Sequence, residues 1–290
     1  MVALPVAATL LLAGVALALE NRRDLTASMF PARLGPARGR MASMGALAAR
    51  LQRGSLMGWA VGMAVWGFAI GAIADGILDL LKDNANGQDI LQKMGGGGAL
   101  IDTYFGAITP IAAVIAVIHG VTAINRVALE ENEFRGELVL ATATPRGRYF
   151  GQHLLWALGG AVVIMLVAGV TIGLGYLVTT GDGDRFLPLV GASLAQVPAM
   201  WVVIGVGVLG VGLSTRLTVA GWAAVGVCLF MVWIAPLLDV PDAVMDVSPF
   251  RHLPLLPGAD MSWTPLVVLT AVAAALVGAG WAAYYRRDIA

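Results

Sequence analysis

Residues 154–178 read LLWALGGAVVIMLVAGVTIGLGYLV, without one Asp, Glu, Lys, Arg or His. Inside a bilayer no water is at hand to pair with a backbone N–H or C=O, so a crossing segment must satisfy these groups within itself. An α-helix of about 20 apolar residues does this across the hydrocarbon core. Comparable windows recur at Val2–Leu19, Leu56–Leu78, Leu100–Ile124, Val190–Leu213, Val219–Leu238 and Pro265–Tyr284. The expected fold is therefore all-α: a polytopic integral membrane protein with about seven transmembrane helices. The first window has no basic residue ahead of it and arginines behind it, so it reads as a retained span and not a signal peptide.

Composition agrees. Of 290 residues 59% are hydrophobic and 12% charged, with mean hydropathy +0.83, whereas a soluble domain carries about 25% charged residues. A chain so poor in charge cannot cover a water-facing surface, and lipid must face most of it. Formal net charge is zero, which offers nothing to nucleic acid. The single cysteine, Cys228, excludes an intramolecular disulfide and a cysteine metal site. Arg far outnumbers Lys, and Ala, Gly and Val abound; this bias suits a GC-rich bacterial genome and hence a bacterial plasma membrane.

The position of the charges sets the expected orientation. Fourteen of the eighteen Lys and Arg residues lie in alternate connections: seven between Glu20 and Ser55, four between Asn125 and His153, Arg216 in a short turn, and Arg286 with Arg287 at the C-terminus. The other connections hold Lys82, Lys93, Arg185 and Arg251. Loops rich in Lys and Arg stay in the cytoplasm, so the C-terminus is expected inside and the N-terminus outside.

A short internal repeat changes the meaning of seven spans. Leu11–Leu25, LLAGVALALENRRDL, aligns without gaps on Ala275–Ile289, ALVGAGWAAYYRRDI, matching Gly14 with Gly278 and both Arg-Arg-Asp triplets. This reads as the last helix of a preceding repeat followed by a complete six-span unit, which makes the chain a fragment or a split half of a larger protein. The expected division is 1–19 as that transmembrane helix, 20–54 as a basic linker with an amphipathic helix, and 55–290 as the six-span unit. In MASMGALAARLQRG (Met41–Gly54), Leu47 and Leu51 share a face while Arg50 and Arg53 lie on others, a pattern suited to the membrane interface and its lipids.

The most distinctive connection is Ala128–His153, ALEENEFRGELVLATATPRGRYFGQH. It is longer than a helix–helix connection requires, and its apolar LVLAT run needs a covering partner. The pattern E-x-x-x-R-G-E-L-x-L-A-T-x-x-x-R from Glu131 to Arg146, together with the YYRRDIA ending, resembles ABC-2 type exporter permeases. In their loop this chain carries one extra residue, LATATPRGR for the usual LATPVSR-like end. The closest resemblance is to the second half of twelve-span bacterial permeases related to polyketide antibiotic exporters.

This resemblance implies an interfacial elbow helix over Leu47, Arg50, Leu51 and Arg53. It implies an ATPase-coupling loop drawn from Glu130, Glu131, Glu133, Phe134, Arg135, Glu137, Leu138, Thr144, Pro145 and Arg146. The implied partners are a cytoplasmic ABC ATPase subunit that holds ATP and Mg, a second permease half or homodimer partner, and an amphipathic, drug- or antibiotic-like substrate. No cofactor is expected on this chain. No G-x-x-x-x-G-K-[ST] occurs, so ATP hydrolysis by a P-loop belongs to another subunit.

Ionisable or polar residues within spans mark possible pathways: Asp102, His119 and Gln196 are the candidates. His252 with Asp242, Asp246 and Asp260 lacks diagnostic metal-site spacing, and no metal is expected. Two other functions stay open. An ion-coupled secondary transporter needs acids near mid-membrane, whereas Asp75, Asp79 and Asp102 lie near outer ends. A non-transporting membrane scaffold needs no pathway at all.

Overall fold

A computed structural model describes residues 3–20, 44–81, 83–96, 99–133, 141–142, 145–238 and 240–287. They fall into two compact units, Met1–Ala42 and Ser43–Ala290. In the first, α1 covers Ala3–Glu20 and leaves Leu10, Leu11, Val15 and Leu17 exposed.

The second unit is a helical bundle. Its elements are α2 (Met44–Leu81), α3 (Ala85–Gly95), α4 (Leu100–Asn132), α5 (Arg146–Thr180), α6 (Phe186–Ala195), α7 (Val197–Leu213), α8 (Val219–Leu229), α9 (Asp242–Met245) and α10 (Trp263–Arg286). Among the described residues, six helical segments are long and apolar enough to cross a membrane, with α6 and α7 forming one of them. The shorter apolar helix α1 precedes them.

Burial ranks these helices. The apolar windows of α4 and of α6–α7 are 72% buried, against 17% for α2 and α10. Accordingly α4 is the central post: it packs on α5 on one side and α7 on the other, while α2 lies along α5 and α10 along α7. A helix apolar on every side suits such an interior place. Phe105, Ala112, Val121, Ile124, Ile164, Met200, Ile204 and Val208 are all fully buried where these helices meet.

Small residues set the closest crossings. A Cβ on Gly71 of α2 would meet the backbone of Ile172 and Tyr176 in α5, and one on Gly212 of α7 would meet Gly280 of α10. Gly58 and Gly62 belong to the same spacing pattern, yet a Cβ on either meets nothing.

The helix ends follow local chemistry. Pro198 cannot donate to Leu194 and breaks the fifth span into α6 and α7 at Gln196. Gly181 takes the left-handed conformation, φ 74°, and its N–H closes α5 on the Leu177 carbonyl at 2.9 Å. After α8 the chain widens into a π segment, Phe230–Ile234, then tightens into a 3₁₀ turn, Ala235–Leu237, which contains Pro236. The following connection carries α9 and a 3₁₀ turn, Pro249–His252. It buries Phe250 and Leu253 against the main core and so caps that end of the bundle.

One expected boundary is displaced. The amphipathic stretch around Leu47 is not a separate elbow: α2 runs without a break from Met44 through Gly54 to Leu81. Its inward face also differs from the expected one. Ala48 and Gln52 are buried, whereas Leu51 is half exposed, because Gln52 is drawn into a hydrogen bond inside the bundle.

Candidate functional site

The end of α4, the turn before α8, the end of α10 and the N-terminal part of α2 meet at one end of the bundle. Arg126 near the end of α4 donates to the Leu51 carbonyl of α2 at 3.3 Å. Asn125 donates to the Thr218 carbonyl before α8 at 3.3 Å. Arg287, just past α10, pairs with Glu131 in the last turn of α4. At the opposite end Asp102, in the first turn of α4, pairs with Arg185 of the α5–α6 connection. Among the described residues, Arg126, Arg216 and Arg287 therefore belong to one end of the bundle and Arg185 to the other.

At the basic end a buried polar cluster surrounds the root of the α4–α5 connection. The Tyr149 hydroxyl donates to Glu130 Oε2 at 2.7 Å, and His153 Nε2 lies 3.8 Å from the same oxygen. His153 Nδ1 meets Gln52 Nε2 of α2 at 3.2 Å. Tyr149 and His153 are four apart, so one face of the first turns of α5 presents both. One carboxylate thus ties α4, α5 and α2 together.

The adjacent acid faces another way. Glu131 pairs with Arg287, whose guanidinium also lies over the Tyr284 ring, 5.5 Å from its centre. The Arg287 carbonyl accepts from Arg146 Nη1 at 3.3 Å. Tyr284 stacks on Phe150 of α5 at 4.4 Å between centres. This second strand of contacts joins the ends of α4 and α10 to the start of α5.

A groove of about 750 Å³ opens beside the cluster, with Leu47, Leu51, Thr122, Arg126, Glu130 and Trp222 among its lining. Amphipathic side chains at its edge suit the headgroup region of a bilayer.

The loop residues expected from sequence divide into three groups. Glu130 and Glu131 turn inward and are spent on contacts within the chain. Glu133, Pro145 and Arg146 are exposed. Phe134, Arg135, Glu137, Leu138 and Thr144 lie outside the described residues. Of the elbow residues, Arg50 and Arg53 are exposed, while Leu47 and Leu51 line the groove.

The possible pathway residues do not come together. Asp102 and His119 are seventeen positions apart on one helix, about 25 Å along its axis. Asp102 is neutralised by Arg185. His119 is buried near Trp59, ring centres 6.4 Å apart, and packs against Gly160. Gln196 is buried at the α6–α7 break. His252 uses Nε2 on the Asp246 carbonyl at 2.9 Å.

Gln52, Arg126, Tyr149 and His153 are not among the site residues expected from sequence, and Tyr284 and Arg287 are expected only as part of the YYRRDIA ending. The i, i+4 pairs Arg126–Glu130 and Tyr149–His153 were visible signals, but which helices they join is a matter of tertiary structure.

A bundle of membrane-length helices, with a polar cluster rooting one connection at one end, is a multi-pass membrane unit, and its family places it among ABC-2-like permeases. The family model described as "Multidrug efflux system permease Rv1217c, C-terminal domain" matches residues 41–285, and the chain belongs to that family. It is 34% identical over 289 residues to the "Multidrug efflux system permease protein Rv1217c" of Mycobacterium tuberculosis. That alignment covers 99% of this chain and 53% of the relative, so the chain spans about half the relative's length.

Proposed function

We propose that this chain is the membrane-spanning part of an ATP-driven efflux system in a bacterial plasma membrane. It moves amphipathic, drug-like compounds outward, and a separate cytoplasmic ATPase binds ATP with Mg and hydrolyses it. The observation that carries the reading is the doubly anchored root of the α4–α5 connection. Glu130 holds it to Tyr149 and His153 of α5, the latter in turn meeting Gln52 of α2, and Glu131 holds it to the end of α10.

A loop that transmits force must be stiff at its base. Buried, charge-assisted contacts supply stiffness that solvated ones do not. Motion of the loop then reaches three helices together, which is the behaviour of a two-state lever. Membership of a multidrug efflux permease family supports the substrate class.

In this reading the basic end and the C-terminus face the cytoplasm. A second permease half, or another copy of the chain, completes the pathway. The outward side of α2 supports this with a groove of about 460 Å³ lined by Trp59, Met63, Trp66 and Ile115.

Co-purification with an ATPase subunit from the native host tests the proposal. The wild-type chain is expected to retain an ATPase. A variant carrying Glu133→Lys and Glu137→Lys is expected to lose it while remaining in the membrane. Undiminished association in that variant sinks the docking assignment.

A further inference from the structure

At the end of the bundle opposite the polar cluster lies a cleft of about 170 Å³ between α3, α4, the π segment and the 238–262 connection. Met94, Met231, Met245 and Phe250 line it, together with Lys93 and Arg251, and no Asp or Glu is among its described lining. The loops at this end otherwise carry many acids, including Asp182, Asp184, Asp242, Asp246 and Asp260. The two cations of the cleft each have a carboxylate partner outside its lining, Asp89 and Asp242.

Three of its walls depart from regular α-helix. Pro110 lies inside α4 and removes one backbone donor. Met231 and Val232 come from the π segment, and Phe250 and Arg251 from the 3₁₀ turn. Single π turns recur at functional sites, and thioether side chains adapt to ligands of irregular shape. Ser248 also lines the cleft. It is 2% exposed, its hydroxyl makes no hydrogen bond of standard geometry, and the Cys228 thiol lies beside it. A thiol is a weak partner, so the buried hydroxyl keeps hydrogen-bonding capacity for a polar ligand.

We propose that this cleft binds an amphipathic anion, a carboxylate or phosphate carrying an apolar chain. The chain lies against Met94, Met231, Met245 and Phe250, the head lies by Lys93 and Arg251, and Ser248 offers a further donor. Lys93 stands 3.6 Å from Asp89, and Arg251 stands 2.7 Å from Asp242. Both pairs are solvent-exposed, and such pairs contribute about 1 kcal/mol or less, so a ligand anion competes with them. The volume is below the roughly 300–1,000 Å³ of a site that encloses a drug-sized molecule. Part of the ligand therefore extends into lipid or solvent. The proposal rests on the cleft's own lining, and its failure leaves the efflux reading untouched.

The test is a fluorescence titration of the full chain in phosphatidylcholine nanodiscs, with empty discs as the blank. The probes are a dansyl-labelled undecanoic acid and its uncharged methyl ester. The acid is expected to bind saturably and at least about tenfold more tightly than the ester. Lys93→Gln with Arg251→Gln should erase that preference, and Met231→Trp, which fills the cleft, should remove binding of both probes. Equal affinity for acid and ester, or a preference that survives the double substitution, overturns the proposal. Phosphatidylglycerol added to the discs identifies the source: suppression of acid binding marks a lipid occupant, and undiminished binding marks a dissolved compound.

Discussion

Glu130 and Glu131 are neighbours in sequence, and both belong to the acidic run expected to form the ATPase-coupling loop. In the fold they part. Glu130 accepts from Tyr149 at 2.7 Å, and Glu131 pairs with Arg287. The side chains of the second pair are 7% and 16% exposed, against 65% and 43% for the surface pair Asp89–Lys93. That difference decides what a mutation does. Removing one partner of a buried pair leaves an uncompensated charge and costs about 3–5 kcal/mol, whereas replacing both with neutral groups costs much less. Arg287→Ala is therefore expected to destabilise the bundle by about 3 kcal/mol. The double variant Glu131→Gln with Arg287→Gln should recover most of that loss. Tryptophan-monitored denaturant unfolding in detergent measures both, and a single variant as stable as wild type refutes the buried-pair account.

Among the elements, α2 separates two kinds of glycine that its sequence spacing cannot. Gly67 and Gly71 face α5, where a Cβ meets Thr171, Ala168 and Ile172, while Gly58 and Gly62 face open space. Small residues let membrane helices approach closely only where another helix lies opposite. Gly71→Ala must push α2 away from α5, and overpacking of this kind costs about 1–3 kcal/mol. Gly62→Ala meets no atom and gains helix propensity, worth up to about 1 kcal/mol relative to glycine. Thermal unfolding in detergent should thus rank Gly62→Ala at or above wild type and Gly71→Ala below it. The reverse order would show that α2 and α5 do not cross at Gly71.

At the scale of the molecule, the charge bias of the loops and the convergence of helix ends agree. Among the described residues, Arg126 and Arg287 join the helix ends that carry Glu130 and Glu131, and Arg185 pairs with Asp102 at the other end. Cysteine labelling gives the sidedness directly. In a Cys228→Ala background, Asp184→Cys is expected to react with a membrane-impermeant maleimide on intact cells. Arg148→Cys should react only after lysis. Both positions are exposed, so the barrier between reagent and thiol is the membrane and not the fold. Labelling of Arg148→Cys in intact cells would reverse the proposed orientation.

Hydropathy by itself determined the class of fold and the place of the spans. A helix in lipid must satisfy its own backbone, and this imprints about 20 apolar residues on the sequence whatever the helix touches. The motif around Glu131–Arg146 was likewise legible, as was the family to which residues 41–285 belong. Which face of each helix is buried was not legible. Lipid and protein interior are equally apolar, so α4 and α2 look alike in composition although one is mostly buried and the other mostly exposed. For the same reason the amphipathic stretch at Leu47–Arg53 read as a separate surface helix. Only the contact of Gln52 with His153, 101 residues away, turns its polar side inward. Tertiary structure alone decided that Glu130 and Glu131 anchor the connection from within, because their partners come from other helices and no local pattern records them.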